Sequence, residues 1–203
     1  MTLTLESMAL ALPHVAGHPN REPFRGVLTL VGVVSDRAPA GARGHRVVLT
    51  RTAAEAALPS LLGMGLDYSP SLDRHDTRRK VGIITAADIT GKELELRGYL
   101  YAKDFPEIVR EIAKNAHTRV PQVSRVPHPT RFSLGGDSRP RTREDPEIHA
   151  SHPRLGMSYE IADARVADVR AKVWTLTHAT FTGAAILRRD KAAYRDTWIE
   201  LAE

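Results

Sequence analysis

The chain has 203 residues, of which 42% are hydrophobic, which suffices for one buried core. It contains no cysteine, and this excludes disulfides, thiolate nucleophiles and cysteine-ligated zinc sites. The net charge of +5 and the isoelectric point near 9.7 favour an acidic partner, either a protein surface or nucleic acid. No apolar run approaches the roughly 18 residues needed to span a bilayer, and residues 1–12 lack the features of a secretory leader. We therefore expect a soluble, cytosolic protein without membrane contact.

The N-terminal part of the sequence predicts an arm followed by two strands. Residues 1–25 hold three prolines and few periodic apolar positions, which indicates an arm that is loosely held or that docks on a neighbour. β-Branched and apolar residues then predict strands over 26–34 and 45–50, separated by a turn-rich stretch over 35–41. We expect the folded domain to occupy residues 26–203.

Three helices are predicted between and after the strands. Thr52 and Glu55 have the spacing of a capping box, which predicts a helix from Thr52 to Leu62. Apolar residues at helical spacing predict a second helix over 104–116, with a proline tolerated in its first turn. A terminal helix is predicted over 190–201.

Further strands are predicted on either side of the second helix. The runs 80–89 and 93–102 flank Thr90-Gly91-Lys92, a short connection typical of a hairpin. Strands are also predicted over 155–167 and 172–185. An order of mostly strands with interspersed helices argues against a doubly wound parallel sheet.

Residues 117–154 differ in composition from the rest of the chain. This segment holds six prolines, seven arginines and Gly135-Gly136, so it is predicted to be an insertion outside the core. His149 and His152 have a spacing compatible with a metal site, but their setting among prolines favours solvated histidines.

Three residues in separate passages carry the candidate chemistry: His75, Ser158 and His178. A serine hydroxyl becomes a nucleophile when a base removes its proton, so the hypothesis requires an imidazole within hydrogen-bond reach. No Gly-x-Ser-x-Gly elbow surrounds any serine, and the order His, Ser, His differs from that of the three well-known triad types. Taken singly, each residue also fits an ordinary role, as a solvated histidine, a strand serine and a core histidine.

The passages around these residues are Leu72-Asp-Arg-His75-Asp76, Leu155-Gly-Met-Ser158-Tyr159 and Leu176-Thr-His178-Ala-Thr-Phe181-Thr-Gly183. In this order they resemble the prohead, or capsid maturation, serine proteases of tailed bacteriophages, which are related to the herpesvirus assembly proteases. The resemblance extends from about Gly26 to Leu187. It implies a herpesvirus-protease-like α+β fold, a small and mostly antiparallel β-barrel with peripheral helices.

The resemblance also implies a role for each of the three residues. Ser158 would be the nucleophile, His75 the general base, and His178 the third member that orients His75. The third position is usually acidic in the phage enzymes, whereas the herpesvirus enzymes have a second histidine there. Because a neutral imidazole stabilises an imidazolium less than a carboxylate does, a slow enzyme is expected.

Donors to the oxyanion are expected near the nucleophile. The candidates are the backbone amides around Met157 and Tyr159, together with Arg165, which would act through a water as an arginine of a relative does. Tyr159 departs from the family pattern, because many phage relatives carry glycine there. Acyl transfer to a serine requires no cofactor, and no metal site is predicted.

The implied function is that of a serine endopeptidase inside an assembling procapsid in the host cytoplasm. Its substrates would be the scaffold protein, extensions of the major capsid protein and the protease itself, and it would form a homo-oligomer during assembly. The segment 117–154 would then be a gate or self-cleavage segment near the cleft, or else a solvated insertion without a role. Nucleic acid is not an expected partner, because Phe132 is the one aromatic residue besides histidine within 117–154.

Three alternatives stay open. The first is a catalytically inactive protein that keeps the protease fold as a scaffold or capsid-assembly factor. The second is a basic nucleic-acid-associated module that uses the arginine-rich segment. The third is a metal-dependent phosphohydrolase built on His75-Asp76, which requires further ligands that the sequence does not identify.

Overall fold

The computed structural model describes residues 17–116 and 155–202, together with the backbone of residues 2–4. Over these residues the protein is a mixed α+β structure made mostly of strands. The strands are β1 (Thr2–Thr4), β2 (Glu22–Leu30), β3 (Arg46–Leu49), β4 (Gly65–Tyr68), β5 (Lys80–Thr90), β6 (Glu93–Leu100), β7 (Leu155–Val166), β8 (Val173–Arg188) and β9 (Trp198–Leu201). The helices are α1 (Arg51–Ala57), which continues as a 3-10 turn (Leu58–Leu61), and α2 (Pro106–Ala116).

The strands form one curled sheet that resembles half of a barrel. The strand order is β3-β8-β4-β5-β6-β2-β9, with β1 paired to β5 and β7 paired to β8. The pairs β3–β8 and β4–β8 are parallel, and the other ladders are antiparallel. The curl brings β7 back to the segment before β9, where the backbone amide of Met157 donates a hydrogen bond to Thr197 Oγ1 at 3.1 Å.

The core is apolar and continuous between the sheet and the first helix. Fully buried members include Leu28, Leu58, Leu66, Ile84, Leu96, Ile112 and Phe181. The 3-10 turn is tied to β8 because the backbone amide of Phe181 donates to Ser60 Oγ at 2.9 Å. Within this core, Asp67 of β4 is a charged residue with no exposed surface. A buried charge of this kind requires a partner, and it marks the place where the site is built.

Most predicted strands are confirmed, with shifted ends. The largest shift is in β2, which begins at Glu22 and not at residue 26, so residues 22–25 belong to the sheet and not to an arm. Phe24 is buried opposite Gly98 of β6, and this pairing extends the strand toward the N-terminus. Gly32 has a φ of 71°, a left-handed turn conformation that ends the extended run. The strands predicted over 26–34 and 45–50 do not pair as a hairpin, since β3 lies on β8.

The two internal helices are confirmed, and their starts differ slightly from the prediction. Thr50, and not Thr52, is the N-cap of α1, because its Oγ1 accepts a hydrogen bond from the amide of Ala53 at 3.2 Å. The second helix begins at Pro106. Asp104 lies outside it, and its carboxylate accepts a hydrogen bond from Asn20 Nδ2 at 2.8 Å.

The terminal helix predicted over 190–201 is wrong, because the chain there forms a turn-rich stretch followed by β9. β9 pairs with the edge of β2, with Ile199 buried opposite Gly26. Tyr194 is also buried. Its hydroxyl oxygen lies 3.2 Å from the carbonyl oxygen of Val33 and 3.3 Å from that of Val47. These tertiary contacts outweigh the local helical pattern.

Several predictions fall outside the described residues. They concern residues 5–16 of the expected arm and the whole insertion over 117–154, with its two histidines. Within the described residues, no helix has the length and apolar content that crossing a membrane requires.

Candidate functional site

His75 lies in the loop between β4 and β5, and this loop is held by hydrogen bonds. Ser71 Oγ donates to the carboxylate of Asp73, and this bond holds the pKa of Asp73 below its usual value. The carbonyl of Leu72 accepts from the backbone amide of Arg188 at 2.7 Å, which ties the loop to the end of β8. The imidazole of His75 is therefore presented by an anchored loop.

Two carboxylates face the ring of His75 from different strands. His75 Nδ1 lies 3.7 Å from Asp67 Oδ2 of β4 and 3.6 Å from Glu160 Oε1 of β7. The His75 side chain is 16% exposed, Asp67 is fully buried and Glu160 is 39% exposed. Both distances exceed that of a charge-assisted hydrogen bond, which is about 2.7–2.9 Å. Among the described residues, neither nitrogen of His75 nor Asp67 Oδ2 has a hydrogen-bond partner.

Lys80 compensates the buried charge of Asp67 from the other side. The two residues are opposite each other in the β4–β5 ladder, and Lys80 Nζ donates to Asp67 Oδ1. The stem of Lys80 packs over Gly65, where a Cβ would lie only 2.7 Å from Lys80 Cδ. Glycine at this position therefore lets the ammonium reach the carboxylate, and Oδ2 is left to face His75.

Ser158 opens into the same cleft as His75. Residues 158 and 160 are two apart in β7, so their side chains share a face of the strand. Ser158, Glu160 and His75 all line a cleft of about 770 Å³. The structure thus places the predicted nucleophile and the predicted base on the lining of one cleft, without a hydrogen bond between them. Such bonds are often long before substrate binds, so the arrangement is compatible with both roles.

His178 is not among the residues that line this cleft, although its neighbour Leu176 is. In the β7–β8 ladder Ser158 pairs with Ala185, whereas His178 pairs with Arg165. Seven residues separate the two rungs on each strand, which corresponds to about 23 Å at about 3.3 Å per residue. His178 is also exposed, and so it is not the core histidine that its setting suggested. The position beside His75 that was expected for it is taken by the carboxylates of Asp67 and Glu160.

Two of the three expected oxyanion donors do not fit that role in the structure: Met157 and Arg165. The backbone amide of Met157 already donates to Thr197, and Arg165 lies on the same distant rung as His178. Tyr159 pairs with Ala184 within the ladder. Its ring packs edge-on against Phe181 with centroids 5.5 Å apart, and burial raises the pKa of its phenol to about 12. The phenol therefore stays protonated at neutral pH and is not a base.

Neither Asp67 nor Glu160 was predicted from the sequence as a member of the site. Glu160 was recognisable, because it lies two positions after Ser158 in a strand pattern. Asp67 gave only the weak signal of one charge within the short apolar run of β4, which was not predicted as a strand.

Comparison with models of known protein families and with curated protein sequences finds no match. The three short motifs around His75, Ser158 and His178 are thus the whole basis of the family resemblance.

Proposed function

We propose that the protein is a serine endopeptidase in which Ser158 is the nucleophile and His75 is the general base. The observation that carries this proposal is the shared cleft: a strand serine and a loop histidine both line it, and two carboxylates face the histidine. In this mechanism His75 Nε2 takes the proton of Ser158 Oγ as the hydroxyl attacks a peptide carbonyl. The Nδ1–H group meanwhile donates to a carboxylate, which orients the ring and stabilises the imidazolium.

Asp67 is the better candidate for the orienting carboxylate. It is buried, and Lys80 holds one of its oxygens, so the other is fixed in its direction toward Nδ1. Glu160 is longer and more exposed, and it loses more side-chain freedom when it is held in one position. A shift of about 0.8 Å would bring Asp67 Oδ2 and His75 Nδ1 to hydrogen-bonding distance. An acidic third member also removes the reason to expect a slow enzyme.

The biological setting of this proposal follows from the motif resemblance. We assign the curled sheet to the herpesvirus-protease-like barrel type and the activity to capsid maturation. The substrates would be scaffold protein, extensions of the major capsid protein and the enzyme itself, cut inside a procapsid in the host cytoplasm. Assembly into a homo-oligomer would time the reaction, and the net positive charge of the chain suits an acidic scaffold.

A fluorophosphonate probe tests the assignment of the nucleophile. We expect wild-type protein to be labelled and Ser158→Ala to remain unlabelled, with peptide mapping placing the adduct on Ser158. Thr182→Ala is the matched control, because it removes another hydroxyl from the lining of the same cleft. Equal labelling of Ser158→Ala and wild type would overturn the assignment. Absence of labelling in an assembled, processing-competent sample would favour the inactive scaffold alternative.

A further inference from the structure

We infer that Asp67, His75 and Glu160 form a binding site for a divalent transition-metal ion, with Zn²⁺ as the best match. The three residues come from β4, from the loop after it and from β7, so the fold and not a local motif assembles them. One ligand atom from each residue lies within 4.8 Å of the others. The set joins one imidazole nitrogen to two carboxylate oxygens.

The spacing of these atoms fits a shared cation better than it fits hydrogen bonds. Zinc bonds to nitrogen and oxygen are about 2.0–2.2 Å long and tetrahedral, which places neighbouring ligand atoms about 3.4 Å apart. Charge-assisted hydrogen bonds would instead be about 2.7–2.9 Å. The observed separations from His75 Nδ1, 3.7 Å to Asp67 and 3.6 Å to Glu160, lie close to the metal spacing.

Unpartnered buried atoms give a second and independent indication. Asp67 has no exposed surface, and its Oδ2 has no hydrogen-bond partner among the described residues. The same holds for His75 Nδ1, which faces this oxygen. Buried polar atoms are rarely left without a partner. A cation between them would satisfy both atoms at once, and Glu160 would supply the third bond.

The donor set indicates which ion fits. A mixed set of one imidazole and two carboxylates favours zinc and similar first-row ions over Ca²⁺ or Mg²⁺, which prefer oxygen alone. Three protein ligands leave a fourth position open to water. Lys80 limits the affinity, because its ammonium contacts Asp67 Oδ1 and repels a second cation. Its bond to Oδ1 nevertheless leaves Oδ2 available.

Metal binding has a regulatory consequence that rests on the proposed function. An ion on Nδ1 leaves the single proton of the neutral imidazole on Nε2. That nitrogen can then no longer accept the proton of Ser158. The ion also occupies the carboxylate that would orient the ring. Zinc and serine chemistry at this site therefore exclude each other, and Zn²⁺ would act as a reversible inhibitor.

The test measures ZnCl₂ binding to the full chain by equilibrium dialysis, in a Ser158→Ala background that retains all three ligands. We expect one zinc ion to be lost, or its affinity to fall at least tenfold, when Glu160→Gln or Asp67→Asn is added. His178→Ala is the matched control, since it removes a histidine outside the cleft and should change nothing. Glu160→Gln is the variant best suited to retain the fold, because its side chain is partly exposed.

Two readouts separate the metal site from the protease. Co²⁺ bound in place of zinc should give visible absorption bands of a tetrahedral site that disappear in Glu160→Gln. Fluorophosphonate labelling of wild type should slow at least tenfold with ZnCl₂ and recover with chelator. If the metal binds at this site but the fluorophosphonate labels no serine, the metal site is supported and the protease proposal is refuted. Unchanged zinc stoichiometry and affinity in both ligand variants would overturn the metal site and leave the protease intact.

Discussion

Replacement of Lys80 by methionine tests how the site is supported. This change keeps most of the stem that packs over Gly65 and removes the ammonium that compensates Asp67. Two unit charges about 4 Å apart at an effective dielectric constant of about 20 attract each other by about 4 kcal/mol. The side chain of Lys80 is 39% exposed, so solvent screens part of this energy, and we expect a loss of about 2 kcal/mol of unfolding free energy.

Urea or thermal unfolding followed by circular dichroism measures this loss. For a chain of about this length, 1 kcal/mol lowers the melting temperature by about 2–4 °C, so Lys80→Met should melt about 4–8 °C lower. Addition of Asp67→Asn should restore part of the stability, because the double variant leaves no unpaired buried charge. A melting temperature of Lys80→Met equal to that of wild type would refute the argument that this ion pair supports the buried carboxylate.

Three further changes distinguish the roles of the site residues. In peptide-cleavage assays, His75→Ala should lower activity at least about 100-fold, whereas His178→Ala should leave it unchanged, and an equal loss in both would restore His178 to the site. Asp67→Asn should lower kcat more than Glu160→Gln does, and the reverse order would make Glu160 the orienting group. Thr197→Val should lower the free energy of unfolding by about 1–3 kcal/mol, because it leaves a buried backbone amide without its acceptor, and urea unfolding indistinguishable from wild type would contradict this.

Local sequence patterns predicted the long strands and the internal helices well. The hairpin of β5 and β6 was recognisable because Gly91, with a φ of 59°, supplies the left-handed turn between two β-rich runs. The terminal segment was mispredicted because its apolar residues fit a helical spacing. These residues form a strand because they pair with the edge of β2, which lies far from β9 in the sequence.

The candidate site was predictable only in part, because local motifs identify single residues and do not encode how distant strands pair. Motifs identified His75 and Ser158 one at a time, and the structure places both on one cleft. The partner of His75 depends on the register of β7 on β8 and on the burial of β4, neither of which is encoded in a short motif. The third motif of the resemblance suggested His178, but the motif does not encode the rung of the β7–β8 ladder on which this residue lies, and that rung is seven residues from the one of Ser158.

The role of His75 as general base is tested most directly by the rate constant with which a fluorophosphonate modifies Ser158 in wild type and in His75→Ala. If His75 removes the proton of the Ser158 hydroxyl, the rate constant should fall by about 10²–10⁴ in the variant, while its circular dichroism spectrum stays unchanged. Equal rate constants for Ser158 in the two proteins would contradict the account, because the hydroxyl would then react without the base.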